Sequence, residues 1–200
     1  MDEVEKFARQ TNVVMDLIVE QLQIDEEELR AYYVNNKTVI EQKIYKQVKK
    51  IAQQWNMYYE EEAFCLVFTF LRSSIVTESY EIMIALYGRE MYFDEKKVIG
   101  YWVPEFITLQ LEKGKKKIYQ DIKKKCIDYP KYMQNQMVLN YGVMFSEFLA
   151  SYIEDAIMSI ADGIIDSEVE IASDFKIAYG ELYGNIEILL DLSEEDEEEV

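Results

Sequence analysis

The chain contains no histidine. Ser-His-Asp and Cys-His catalysis are therefore excluded, and so is histidine-ligated zinc. Two cysteines cannot supply the four thiolates of an all-cysteine zinc site, nor a disulfide framework. Cys65 and Cys126 instead read as buried thiols acting as small hydrophobes. Any enzyme would have to work with carboxylates, lysines, tyrosines or a bare thiol. Proline and glycine are also scarce, at two and seven residues, which argues against an all-β protein rich in turns. No glycine-rich phosphate loop exists. The longest apolar run, "AFCLVF" from Ala63 to Phe68, falls far short of the roughly 20 residues that cross a bilayer. The opening "MDEVEKFARQ" is acidic and lacks the apolar stretch of a secretory signal. These features predict a cytoplasmic protein that does not enter membranes.

What is present is a large apolar inventory. Half of the 200 residues are hydrophobic, among them 16 tyrosines, 9 phenylalanines and 9 methionines. That suffices for a real core and separates the chain from acidic disordered sequences, which lack aromatics. Apolar residues recur at helical steps over Val4–Leu22 and again over Thr38–Met57, with "VNNK" between them as a break. Asp25 reads as an N-cap, and "TVIE" at Thr38–Glu41 as a capping box. Pro104 suits the start of a further helix, whose line is Ile107, Leu111, Ile118 and Ile122. A wide apolar face from Tyr132 to Ala161 predicts a central helix, stopped at Asp162-Gly163. Ala172, Phe175, Tyr179, Leu182, Ile186 and Leu189 predict a last helix, in which Gly180 and Gly184 mark a close helix approach. The expected fold is thus all-α: one domain over 1–191, a bundle of about six to seven helices, with a small β-hairpin within 79–102 as the alternative. Residues 192–200 read as a disordered acidic tail.

Charge is unevenly distributed. The formal net charge is −18. Yet "LEKGKKKIYQDIKKKC", Leu111–Cys126, holds seven lysines and two acids. Beyond Lys125 only Lys131 and Lys176 face 18 acids. The favoured reading is a non-enzymatic module, such as an inhibitor or immunity-type protein, whose acidic C-terminal half docks a basic protein partner. Glu147 and Glu154, two turns apart on the central helix, are the candidate contacts. A second reading is an enzyme that holds a divalent ion through Asp155, Asp162 and Asp166. A third gives Lys113, Lys116, Lys117, Lys123 and Lys124 a nucleic acid. It is the least favoured, because arginine is scarce and the net charge repels phosphate. No cofactor is implied.

Overall fold

The computed structural model describes residues 3–165, 169–182 and 184–193, without the side chains of Glu147 and Phe148. It corrects the all-α expectation: the chain is mixed α/β. Four helices, α1 (Glu3–Tyr58), α2 (Arg72–Val76), α3 (Glu105–Lys125) and α4 (Lys131–Ile165), accompany five strands. These are β1 (Ala63–Phe70), β2 (Ile82–Tyr87), β3 (Lys97–Trp102), β4 (Ile171–Glu181) and β5 (Ile186–Asp191). The strands form one sheet in the order β3-β2-β1-β4-β5, in which only the β1–β4 pair is parallel.

Helix α1 replaces two predicted helices with one of 56 residues. At 1.5 Å per residue it is about 84 Å long. The asparagines expected to break it do not, because each side-chain amide donates to the carbonyl four residues back (Asn35 to Ala31 and Asn36 to Tyr32, both 2.8 Å). Thr38–Glu41 therefore lies inside the helix and caps nothing. Asp25 is not an N-cap either. It sits mid-helix on the buried stripe that runs Val14, Ile18, Leu22, Asp25, Leu29, Tyr33 and on to Trp55. Two polar residues in that stripe, Gln21 and Asp25, make it read as ended.

The first half of α1 packs in a three-helix bundle. Helix α3 runs antiparallel to it, with Glu105 beside Lys43 and the α3–α4 turn beside Lys6 through Asp128. Helix α4 runs parallel, with Tyr141 at the level of Asp25 and Asp155 at the level of Tyr33. The second half of α1 lies on the sheet. Val48, Ile51 and Ala52 meet Leu66, Leu86 and Phe175 there. Gly100 of β3 admits this approach, since a β-carbon on it would come within 3.0 Å of Ile51.

The predicted last helix is instead the β4–β5 hairpin. Phe175, Ile177 and Tyr179 alternate onto the helix-covered face, where a period of two competes with the three- and four-residue steps read from the sequence. Gly180 and Gly184 flank its turn rather than a helix contact, and a β-carbon at Gly180 would collide with the Asn185 backbone. The apolar run "AFCLVFTF" is the central strand β1, and its continuous apolar character matches burial on both faces. The β2–β3 pair is the hairpin kept as an alternative within 79–102. Helix α4 passes through Asp162-Gly163 to Ile165. The acidic segment 194–200 lies outside the described residues.

The sheet has two unlike faces. Leu66, Phe68, Ile82, Ile84, Leu86 and Ile177 join the main core under the helices. Cys65, Val67, Met83, Ala85 and Tyr87 form a smaller cluster on the other face. The β2–β3 connection covers it through Met91 and Tyr92. Its chain turns at Met91, with φ 48°. Ile84 is fully buried between Phe68 and Gly100 in the sheet register. Ile84→Ala should cost about 2–5 kcal/mol of stability in urea unfolding. A cost below about 1 kcal/mol would contradict this placement of β2.

Candidate functional site

The most developed polar constellation lies where α1, α3 and α4 meet. The Asp25 side chain is buried and accepts hydrogen bonds from Tyr141 Oη (2.5 Å), Gln110 Nε2 (2.6 Å) and Gln21 Nε2 (2.9 Å). Glycine makes the geometry possible. A β-carbon on Gly114 would fall on the Tyr141 hydroxyl and within 2.8 Å of Asp25 Oδ2. A mid-helix glycine costs about 1 kcal/mol relative to alanine. Here it is the only residue that lets Tyr141 reach its acceptor. Burial pushes the Asp25 carboxyl above its ordinary value, against the lowering effect of the Tyr141, Gln21 and Gln110 hydrogen bonds. Burial and the Asp25 hydrogen bond together keep Tyr141 protonated.

A second cluster lies beside it. The turn after α2 places Glu78 and Tyr80 at φ 59° and 52°, a region costly for side chains other than glycine. That conformation buries Tyr80, whose hydroxyl donates to Glu112 (2.6 Å) and accepts from Lys115 (2.9 Å). Lys115 also pairs with Glu78 at 2.6 Å. Burial opposes the Lys115 charge, but Glu78 and Tyr80 outweigh it and its pKa is raised. Both clusters tie elements together. Neither opens a reactive group to solvent.

The thiols are equally closed. Burial pushes Cys65 up to about 12. It also raises Cys126, which donates to the Gln10 carbonyl at 3.9 Å.

The sequence-predicted carboxylates fall in different settings. Asp155 accepts from Tyr33 (2.5 Å) and Lys37 (2.7 Å), and the Lys37 and Tyr33 hydrogen bonds lower its pKa. Its charge is thus already matched by a cation. Asp162 is exposed one helix turn from the end of α4, and Asp166 lies outside the described residues. Among the described residues no three acidic or thiol groups are placed to hold a metal ion. Glu147 has no described side chain. Glu154 is half-buried at the rim between α4 and β5. Burial and then the charge of Glu187 raise its pKa.

The lysines have a spatial explanation that the sequence conceals. Antiparallel packing lays α3 along the part of α1 that carries Asp16, Glu20 and Glu26–Glu28. Lys113 bonds Glu28 at 2.6 Å, and Lys117 pairs with Asp121. Lys116, Lys123 and Lys124 are exposed. Lys116 and Lys123 line a groove with Lys131, Gln120, Gln134 and Asn135, and among the described residues no carboxylate lines it. The first acid of α4 is Glu147. In space, therefore, the charge boundary falls within α4 and not at residue 125. Among the described residues no helix is long and apolar enough to cross a membrane.

Two measurements check the Asp25 centre. Its folded pKa is raised above 3.8, so its stabilisation is fully present below about pH 4 and is lost as pH rises through the folded value. Relative to Asp25→Asn, the wild-type chain should therefore lose stability as pH rises above about 4 in urea titrations. Parallel curves would contradict the burial of a carboxylate there. Gly114→Ala should destabilise by about 1–3 kcal/mol despite alanine's better helix propensity. That loss should shrink in a Tyr141→Phe background, where the obstructing hydroxyl is gone. Equal losses in both backgrounds would show that Gly114 serves something else.

Compared with known proteins, the chain matches no family model, no curated protein and no solved structure.

Proposed function

We propose that the protein is a non-enzymatic binding module that docks a basic protein partner on its acidic C-terminal half. One observation carries this reading. At the rim between α4 and β5, burial and then the nearby charge of Glu187 raise the Glu154 pKa, and neither carboxylate makes an ion pair among the described residues. Elsewhere the acids near cations are matched: Glu28 by Lys113, Asp155 by Lys37, Asp191 by Lys176. At the sheet end Arg72 pairs with Glu181 of β4. Lys176 is engaged with Asp191, and Lys131 lies in the lysine groove at the start of α4. An acidic surface without its own counter-charge suits a basic partner, for which complementarity gives on-rate and specificity.

The reading also agrees with the chemistry of the interior. The buried thiols stay protonated, and the Asp25 and Tyr80 clusters hold helices in register. The surface apolar groups point the same way. Phe93 and Ile188, 90% and 53% exposed, flank the groove on the other face of β5 from Glu187. Aromatic and aliphatic groups of this kind anchor protein interfaces.

Random linear peptides displayed against the full chain test the proposal. The enriched peptides should be net basic, and their binding should weaken from 0.1 M to 1 M salt as the Debye length falls from about 10 Å to about 3 Å. Enrichment of acidic peptides would overturn the proposal and move the site to Lys116, Lys123 and Lys131. Salt-independent enrichment of neutral peptides would overturn it as well.

A further inference from the structure

We infer that β5 is a docking edge, and that it takes an extended segment of another protein in which basic and apolar residues alternate. This rests on the proposed function and specifies the form of the partner. The sheet ends in two edge strands, β3 and β5. They are not equivalent. At β3 the Tyr59 hydroxyl occupies the edge, accepting from the Lys97 N–H at 3.3 Å and lying 3.5 Å from its carbonyl. No side chain among the described residues does this at β5. Its outer N–H and C=O groups are those an added strand would pair.

The two faces of β5 state what such a strand must carry. Ile186 and Ile188, ahead of the register shift between Ile188 and Leu190, share the face that bears Ala178 and Cys65. They form one wall of a mainly apolar groove whose other wall is Met91 and Phe93 of the β2–β3 connection, with Arg89, Glu90 and Lys176 also lining it. Glu187 points to the opposite face, opposite Tyr179 in the register and within electrostatic reach of Glu154. Side chains in an added strand alternate between the same two faces at about 3.3 Å per residue. Every second residue would therefore lie beside Ile186 and Ile188, against the apolar groove. The residues between would lie beside Glu187 and Glu154. Apolar groups fit the first set. Lysine or arginine fits the second, where its charge would meet the two carboxylates.

Charge also decides against a second copy of this chain. Pairing β5 with β5 would set the Glu187 side chains on one shared rim. Like charges across a strand pair are destabilising, and two chains at −18 repel each other as wholes. A basic helix could meet the carboxylates but would leave the strand edge unpaired.

The test uses the full chain and a labelled heptapeptide, Val-Lys-Val-Lys-Val-Lys-Val, in fluorescence anisotropy. Three comparisons accompany it: the same residues in block order, and two forms N-methylated on the backbone at alternate positions, one at the valines and one at the lysines. The alternating peptide should bind. The block peptide should bind at least about tenfold more weakly, because it cannot satisfy both faces at once. One N-methylated form should lose binding and the other keep it, since alternate N–H groups of a strand point to the same side. Glu187→Lys, at an exposed position, should weaken the alternating peptide by about tenfold or more with an unchanged circular dichroism spectrum. Equal binding of alternating and block peptides, or indifference to both N-methylations, would overturn the edge and leave only charge attraction, with the basic-partner reading intact. Failure of the alternating peptide to bind, while other basic peptides are enriched by display, would overturn the edge in the same way. Failure of every basic peptide would overturn both.

Discussion

The tertiary arrangement depends on a buried carboxylate that must find its hydrogen bonds. Asp25 has no solvent exposure. A buried charge or polar group left without partners costs several kcal/mol. Tyr141 on α4, Gln110 on α3 and Gln21 on α1 meet that demand together. They can do so only at one register of the three helices. Sliding α4 by a turn would move Tyr141 about 5.4 Å away. Sliding α3 would replace Gly114 with a residue whose side chain fills the space of the Tyr141 hydroxyl. The surrounding apolar residues supply most of the driving force, but leucine and isoleucine stripes tolerate neighbouring registers. The Asp25 centre does not, and this is the best-supported use of a buried polar group.

Once that register is set, the more distant contacts follow from helix geometry. The α3–α4 turn reaches the start of α1, where Tyr129 stacks on Phe7 at 5.9 Å and Asp128 meets Lys6. Toward the sheet, α4 brings Asp155 to Tyr33 and Lys37. The second half of α1 is left with an apolar stripe and no helix long enough to cover it alone. The sheet covers it. This explains a two-layer end with helices on one face only. The other face is closed by the short connection between β2 and β3, leaving a groove beside β5. The proposed binding edge is a consequence of that incomplete cover.

The charge layout follows from the same packing. Lysines that look anomalous in an acidic chain lie along the acidic half of α1, so part of their role is internal neutralisation, as at Lys113 and Glu28. Exposed pairs of this kind contribute little individually. Their sum shapes the surface: a cationic groove between α3 and α4, and an acidic rim at α4 and β5. The two surfaces lie at different places along the bundle axis, which is why one chain can present both.

Several features were legible from residues alone. Helix dominates the chain, α3 and its lysine-bearing face are where the spacing of Ile107, Leu111, Ile118 and Ile122 puts them, and both cysteines are buried. Helical spacing over 14–20 residues is a local property, and local sequence reports it. The long helix was split because Asn35, Asn36 and Asp25 are locally unfavourable there. Their partners, the Ala31 and Tyr32 carbonyls and the Tyr141 hydroxyl, decide otherwise. One of those partners lies 116 residues away. The mid-helix glycine in "LEKGKKK" was the available signal that something approaches α3 closely, but nothing in the sequence says what. Strands β4 and β5 read as a helix in the sequence because Phe175 and Tyr179, four residues apart, satisfy both periods. Strand pairing settles the choice, through hydrogen bonds to β1, more than 100 residues upstream. The acidic total and the lysine cluster were therefore determined by the sequence itself. Which charges end up neutralised and which stand alone at a free strand edge was decided only by tertiary structure, because both depend on contacts between segments that no local pattern connects.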